Sequence, residues 1–359
     1  MQNNKKITTK INSFVGLKTI AMLLIFYWHS PLKNTHLDIG ARACELFFIM
    51  SGFLVAFNFR KKNIGATWKE SAKYFLKKFS QMWPLHILTL LLLIICTKYS
   101  LAYGQSILTV ICGVTLTQAW TTNNYFLLNG VAWFLSALLF CYFMAPVLNK
   151  FTKNKRTAAI TFVLVALIRI GLEITQTKFP GLFTSINFHT FPVVRCMEFF
   201  LGMLMIPFYE TLKEKTSKKS TKRFFLFSLI EILLVSTYIA SIFIFNKTLN
   251  RGEFVLISCL PIFVLALDSG IISKLLSIKP FQWFASIQFE FYILHQVAFT
   301  LLSKTPLRDM PNIPFTICVF LIICLVAFLY NKFLAKKLTN LTQKAINKTF
   351  HFLKINIEI

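Results

Sequence analysis

Charge is scarce in this chain: only 14% of its 359 residues are charged, and Asp and Glu together number 13 against 39 Lys and Arg. With 56% hydrophobic residues and a mean hydropathy of +0.63, that scarcity excludes an ordinary soluble globular domain. The eight cysteines fall mostly within apolar stretches without paired spacing, which argues against both a metal site and a secreted disulfide framework. They read as small packing residues. No small-residue cleavage site follows the first apolar run, which leads into Trp28, His29 and Ser30, so that run is expected to stay as a signal anchor. Internal repeats, low-complexity segments and polar stretches of domain size are also missing. Any chemistry is therefore expected within the apolar part of the chain.

What is present is a series of apolar runs at 16–31, 41–59, 79–97, 131–148, 157–177, 190–209, 224–245, 254–272, 284–303 and 314–335, each near the ~20 residues a membrane-crossing helix needs. A further run, 106–120, is interrupted by Gly113, Thr109, Thr115, Thr117 and Gln118, and reads as either a span or a re-entrant segment. Basic residues decide between the two. With 106–120 not crossing and the N-terminus inside, the inner segments collect 29 of the 39 Lys and Arg, the outer ones 7, and Arg42, Arg169 and Arg195 lie within or at the edges of spans. Counting 106–120 as a span would put the later basic clusters outside. The net charge of +26 is thus a positive-inside signature and not a nucleic-acid footprint. The expected fold is an all-α polytopic membrane protein of about ten transmembrane helices with cytoplasmic N- and C-termini.

Ionisable side chains at bilayer depth are costly, and their positions carry most of the functional information. Lys18 and His29, eleven positions apart, share one face of the first helix about 16 Å apart along its axis. This puts a cation at the inner end and an imidazole in the outer half. Arg42 and Glu45 open the second span on the outer side, Arg195 and Glu198 lie in the outer half of the sixth, and His295 sits in the ninth at a depth similar to His29. A second, inner group gathers Lys77, Lys78 and Gln81 ahead of Trp83-Pro84, where the third helix is expected to begin with its N-terminus favouring an anion. Blander readings exist for each. The lysines suit snorkelling or the positive-inside bias, Arg195 and Glu198 suit a structural ion pair, and His86 suits a packed or interfacial histidine.

Taken in order, these residues carry a family resemblance over nearly the whole chain. A basic residue, ten residues and a histidine (Lys18 to His29) are followed by Glu45, Phe47, Phe48 and Ser51-Gly52-Phe53. Then come the basic pair Lys77-Lys78 before Pro84, Trp133-Phe134-Leu135 with Tyr142 and Pro146, Arg195 to Gly202, and Phe291-Tyr292-Ile293-Leu294-His295. The chain resembles the acyltransferase 3 family of bacterial membrane O-acyltransferases. It departs from common members in having Lys18 for Arg, Gln81 for a second Arg, Leu138 for Glu, and Glu290 where Gly is frequent.

The resemblance implies transfer of an acyl group, usually acetyl, from cytosolic acyl-CoA as co-substrate to a hydroxyl of an envelope saccharide (O-antigen, capsule or exopolysaccharide). It implies a cytoplasmic-membrane location, no bound cofactor, no metal and no nucleic-acid partner. Residues 1–336 would form the transmembrane acyltransferase domain and 337–359 an amphipathic cytoplasmic tail. His29 and Glu45 are the candidate catalytic residues, Lys18, Lys77, Lys78 and Gln81 the candidate donor-binding set, and Ser51, Trp133, Arg195, Glu198 and His295 the acceptor or supporting set. General-base catalysis by His29 and an acyl-histidine intermediate both suit this set. Polar residues at mid-bilayer also fit a transporter or flippase for a glycan or lipid-linked intermediate. A catalytically silent assembly partner is a third reading.

Overall fold

The computed structural model describes residues 10–62, 67–97, 107–121, 126, 128–184, 186–216, 220–245, 251–353, 357 and 359. The side chains of Lys62, Thr97, Phe245 and Arg251 are likewise outside the description, as are residue 106 and, of the residues in the charge count, Lys5, Lys6, Lys98, Lys218, Lys219, Lys247 and Lys354. Among the described residues the chain is helical and has no strand. The first half runs α1 (Ser13–His29), α2 (Ile39–Lys62), α3 (Trp68–Thr97), α4 (Ile107–Thr115), α5 (Trp133–Leu148) and α6 (Lys155–Lys178). It continues through α7 (Pro192–Leu204), α8 (Ile206–Lys215), α9 (Thr221–Phe245), α10 (Arg251–Ala266), α11 (Ile271–Leu275) and α12 (Lys279–Ser286). The chain closes with α13 (Gln288–Leu302), α14 (Asn312–Tyr330) and α15 (Lys336–Phe352), the last two joined without a break by a π-helical segment, Asn331–Ala335. Seven of the described helices are long and apolar enough to cross a membrane, and Ser13–His29 and Gly252–Ala266 are shorter apolar helices. α6 and α9 turn large apolar side chains such as Ile160, Leu164, Leu167, Leu229 and Leu233 outward, as helices facing lipid do.

Three sequence expectations change in detail. α3 does not begin at Trp83-Pro84. It starts at Trp68 and runs straight through Pro84, so α3 itself offers no N-terminus with free amides at Lys77, Lys78 and Gln81. The basic stretch before the apolar run carries Lys69, Lys73, Lys77 and Lys78 with Leu76, Gln81 and Met82, which propagate a helix readily; Pro84 leaves the carbonyl of Ser80 without its usual donor. The sixth apolar run is divided at Met205 ahead of Pro207, and the ninth at Ile287. The 106–120 run, which the sequence reads as a span or a re-entrant segment and the charge count takes as not crossing, holds the nine-residue α4, about 14 Å long against a hydrocarbon core of ~30 Å, and a 3-10 turn at Gln118–Trp120.

α4 ends in a compact cap. Thr117 N–H bonds the carbonyl of Cys112 (2.9 Å), with Leu116 in the left-handed region at φ 56°. Its last carbonyls are taken by α3: Trp83 Nε1–H donates to Val114 O (2.9 Å), and His86 Nε2 meets Gly113 O (2.7 Å). His86 is therefore packed, as its sequence position indicated, and it also satisfies backbone that lipid would leave bare.

The core seam is the contact of α2 with α7. A Cβ at Gly52 would fall 1.7 Å from Phe199 O, and one at Gly202 would fall 2.0 Å from Ile49 O. The two backbones touch through reciprocal glycines, as in close helix pairs within membranes. Flanking aromatics fill the space above and below: Phe48 packs on Phe134 (centroids 4.5 Å apart) and Phe53 on Phe14 (5.4 Å) and Tyr209 (5.3 Å). Gly202→Val should therefore force the helices apart and cost more than the ~1–3 kcal/mol typical of overpacking. Gly171→Ala, with nothing within 4 Å of the added methyl, should be neutral or slightly stabilising. Thermal unfolding of the two detergent-solubilised variants beside the unsubstituted protein tests this contrast.

Candidate active site

A cavity of about 320 Å³ opens where α1, α2, α5 and α13 converge with the segment ahead of α7. Trp28, Phe126, Trp133 and Tyr292 supply aromatic wall, and His29, Asp38, Asn187 and His189 supply polar groups. Gly40 makes room for one of these walls, since a Cβ there would sit 2.6 Å from the Trp28 ring. α1 reaches the cavity because its N-terminus is anchored at the opposite end. Asp268 accepts from the backbone N–H groups of Asn12 and Ser13 (2.9 Å each), and Ser13 Oγ donates to Leu265 O (2.6 Å). At the far end the helix stops at Ser30, just before Pro31.

His29, the last residue of α1, lines the cavity and is half-buried. Its Nδ1 lies 2.9 Å from Ile25 O, one turn back, and 3.3 Å from Nε2 of His295. The two imidazoles meet edge to face with centroids 4.9 Å apart. His295 is fully buried behind His29, its Nδ1 2.5 Å from Tyr292 O. α13 is held in register by Tyr292 Oη donating to Val131 O (2.7 Å) and Asn129 Nδ2 donating to Ile293 O (3.0 Å). The shared depth of the two histidines seen in the sequence is thus a direct contact.

A second group of expected residues lies beneath the opposite wall. Trp133 lines the cavity and packs against His189 (4.7 Å between centroids). Arg195 is fully buried and does not line the cavity. Its Nε donates to His189 O (2.7 Å), its Nη2 meets His189 Nδ1 (2.8 Å), and its Nη1 donates to both carboxylate oxygens of Glu198 (2.7 Å). Glu198 also faces Arg169 Nη2 at 3.7 Å, and Arg169 donates to Glu173 (2.5 Å). An unpaired charge here would be costly, and pairing removes most of that penalty. Arg195 and Glu198 therefore reach the cavity through His189.

Glu45 is fully buried, with both oxygens engaged by Arg42 Nη1 (2.9 and 2.8 Å). The cavity wall on that helix is its neighbour Cys44. Ser51 is buried two turns further along α2. Towards the other end of α1, Lys18 is partly buried and close enough to Lys78 of α3 to repel it. The Lys78 ammonium also stands 5.2 Å from the Tyr142 ring centroid. Lys77 and Gln81, one turn apart on α3, are exposed. Of the expected inner set, Lys18 and Lys78 are within electrostatic reach of each other and partly buried, while Lys77 and Gln81 are exposed.

Sequence reasoning passed over His189, Asp38, Asn187 and Trp28 as site residues, and named Tyr292 only within the motif that ends at His295. His189 had one local signal, an isolated histidine three residues ahead of the proline that opens α7. Asp38 and Asn187 sit in connections and Trp28 at the end of α1, where the approach to the cavity depends on the tertiary fold.

Residues 11–332 match the acyltransferase domain of the acyltransferase 3 family. Over 225 residues the chain is 23% identical to the acyltransferase MdmB of Streptomyces mycarofaciens, an alignment that takes in 55% of this chain and 57% of that relative. The chain thus spans little more than half the length of the curated relative. No solved structure matches. The continuous match from α1 into the π-helical segment after α14 covers both the His29 end and the Lys18 end of the site, and the chain belongs to the acyltransferase 3 family.

Proposed function

We propose that this protein is a multi-pass enzyme of the bacterial cytoplasmic membrane that moves an acetyl group from cytosolic acetyl-CoA to a hydroxyl of an envelope saccharide. The observation that carries the reading is His29. It is a partly accessible imidazole lining an aromatic-walled cavity, on the same helix face as Lys18 and about 16 Å along the axis from it. The cavity volume lies at the lower end of the range for small-molecule sites. Aromatic walls with a few polar groups suit a sugar, whose ring has an apolar face and a polar rim.

In this reading the ten crossings are α1, α2, α3, α5, α6, the α7–α8 pair, α9, α10, α13 and α14, with both termini cytoplasmic. Residues 1–336 form the catalytic domain, and the Lys-rich 337–359 tail lies on the inner membrane surface. Lys18 and Lys78 hold donor phosphate charge, and Lys77 and Gln81 extend that contact at the cytoplasmic rim. The donor's thioester arm passes Ser51 towards the cavity. His29 takes the proton from the acceptor hydroxyl as that oxygen attacks the thioester carbonyl. Trp133 forms an acceptor wall, Arg195 and Glu198 fix His189 beside it, and Glu45 with Arg42 holds the outer end of α2 in place.

Mass spectrometry of surface glycans from a deletion strain tests the reaction. Wild-type complementation should restore an acetyl-sized increment of about 42 mass units on one sugar, and His29→Ala should not, since loss of a general base removes ~10²–10⁴-fold in rate. Glycan lost from the surface with its acylation unchanged would instead favour a transporter. Lys18→Ala should raise KM for acetyl-CoA by roughly 10- to 100-fold with kcat much less affected, the effect of removing one charge-assisted contact. An unchanged donor dependence would remove Lys18 from the donor site.

A further inference from the structure

The contacts of the His29 and His295 imidazoles indicate where their protons sit. A backbone carbonyl only accepts a hydrogen bond. His29 Nδ1 lies 2.9 Å from Ile25 O, so Nδ1 carries the hydrogen and the lone pair of the neutral ring is on Nε2. His295 Nδ1 lies 2.5 Å from Tyr292 O and by the same argument carries its hydrogen, which places the His295 lone pair on Nε2. That Nε2 is the atom 3.3 Å from His29 Nδ1. Acceptor faces donor, and the Nδ1–H of His29 is shared between a carbonyl of its own helix and the lone pair of His295.

We propose that His295 is the positioning residue of His29, a fully buried neutral imidazole that fixes His29 as the Nδ1–H tautomer and receives that hydrogen bond as His29 becomes charged. The inference rests on the reading of His29 as general base. It gives His295 the orienting task that a carboxylate performs in many hydrolytic triads. Glu45, the carboxylate that the sequence offers for this task, has both oxygens engaged by Arg42.

The step balances without an added reagent. The acceptor O–H proton moves to His29 Nε2, the oxygen bonds to the thioester carbonyl carbon, and the carbon–sulfur bond breaks. The departing thiolate then takes the same proton from Nε2. Throughout, the Nδ1 hydrogen remains on His29, held by Ile25 O and His295 Nε2. The imidazolium formed in between is stabilised without a second buried charge, which apolar surroundings would penalise. Other ionisable groups that face His29 are Lys33, which acts on it electrostatically, and Asp38, His189 and Tyr292 around the cavity.

Full-length variants in inverted membrane vesicles of the deletion host, supplied with isotopically labelled acetyl-CoA, test the proposal through the rate of label entering the host's own saccharide. His295→Leu should lower kcat by roughly 10- to 100-fold, within the range set by loss of a base's orientation, while KM for acetyl-CoA stays within about twofold. His295→Gln, which returns an acceptor oxygen to the space of Nε2, should recover much of that loss. Equal rates for the Leu and Gln variants at equal protein levels, or a Leu variant as fast as wild type, would overturn the proposal. An inactive His29→Ala beside an active His295→Leu discards only the role of His295, whereas an active His29→Ala discards the general-base reading itself. Histidine-selective ¹⁵N spectra of the unsubstituted protein give a check independent of folding. Both rings should report the neutral Nδ1–H form, and an Nε2–H form of either would contradict the assignment.

Discussion

The structure depends on how closely α2 and α7 approach. Their backbones touch at Gly52 and Gly202, each lying against a carbonyl of the other helix, so the seam tolerates no side chain at either position. In an apolar solvent the hydrophobic effect does little to drive helices together, and van der Waals contact between smooth surfaces takes its place. The seam fixes Phe48 against Phe134 and thereby joins α5 to α2. It also places Arg195 and Glu198, on α7, directly beneath the cavity wall made by Trp133 and His189. The Ser51-Gly52-Phe53 and Glu198-to-Gly202 motifs are two halves of one joint.

Around the joint, polar groups are handled by pairing. Arg42 with Glu45, Arg195 with Glu198, and Arg169 with Glu173 bring charge into the interior in matched sets. Glu231 accepts from the backbone N–H groups of Gly270 and Ser273 and from the Ser273 hydroxyl, closing the bend between α10 and α11. Trp83 and His86 perform the same service for the end of α4. Each replaces a partner that water would supply elsewhere. The His29–His295 pair is of another kind: two imidazoles that meet backbone carbonyls and each other, with His29 also lining a cavity. That combination of burial and access is what proton transfer requires and structural pairing does not.

A single helix links the two ends of the site. α1 carries Lys18 and His29 on one face, and the distance between them is set by helical rise and not by any loop. Anchoring by Asp268 at one end and by the α13 contact at the other makes the helix a rigid spacer between the lysine group and the cavity. Gln288, at the start of α13, donates to the carbonyl of Lys18 (2.6 Å), so the helix bearing His295 is also tied to the Lys18 end of α1. The separation of Lys18 from the His29 cavity is thus built into the secondary structure.

The all-helical character and the presence of several membrane-length apolar helices were legible in the sequence because apolar length is a local property. So was the shared face of Lys18 and His29, which follows from the 3.6-residue repeat. The i,i+3 pairing of Arg195 with Glu198 was legible for the same reason. Other features were decided only by the tertiary structure. Pro84 looked like a helix start, yet α3 continues through it because neighbouring packing and a helix-forming basic stretch outweigh one missing hydrogen bond. Glu45 looked available to orient a base and is instead engaged by Arg42, while His189 and Asp38 gave almost no sequence signal and stand on the cavity wall. The sequence alone determined where the apolar runs lie and which residues share a helix face; the crossing of helices far apart in the chain decided which of them meet, because contact between residues 266 positions apart depends on packing that no local pattern encodes.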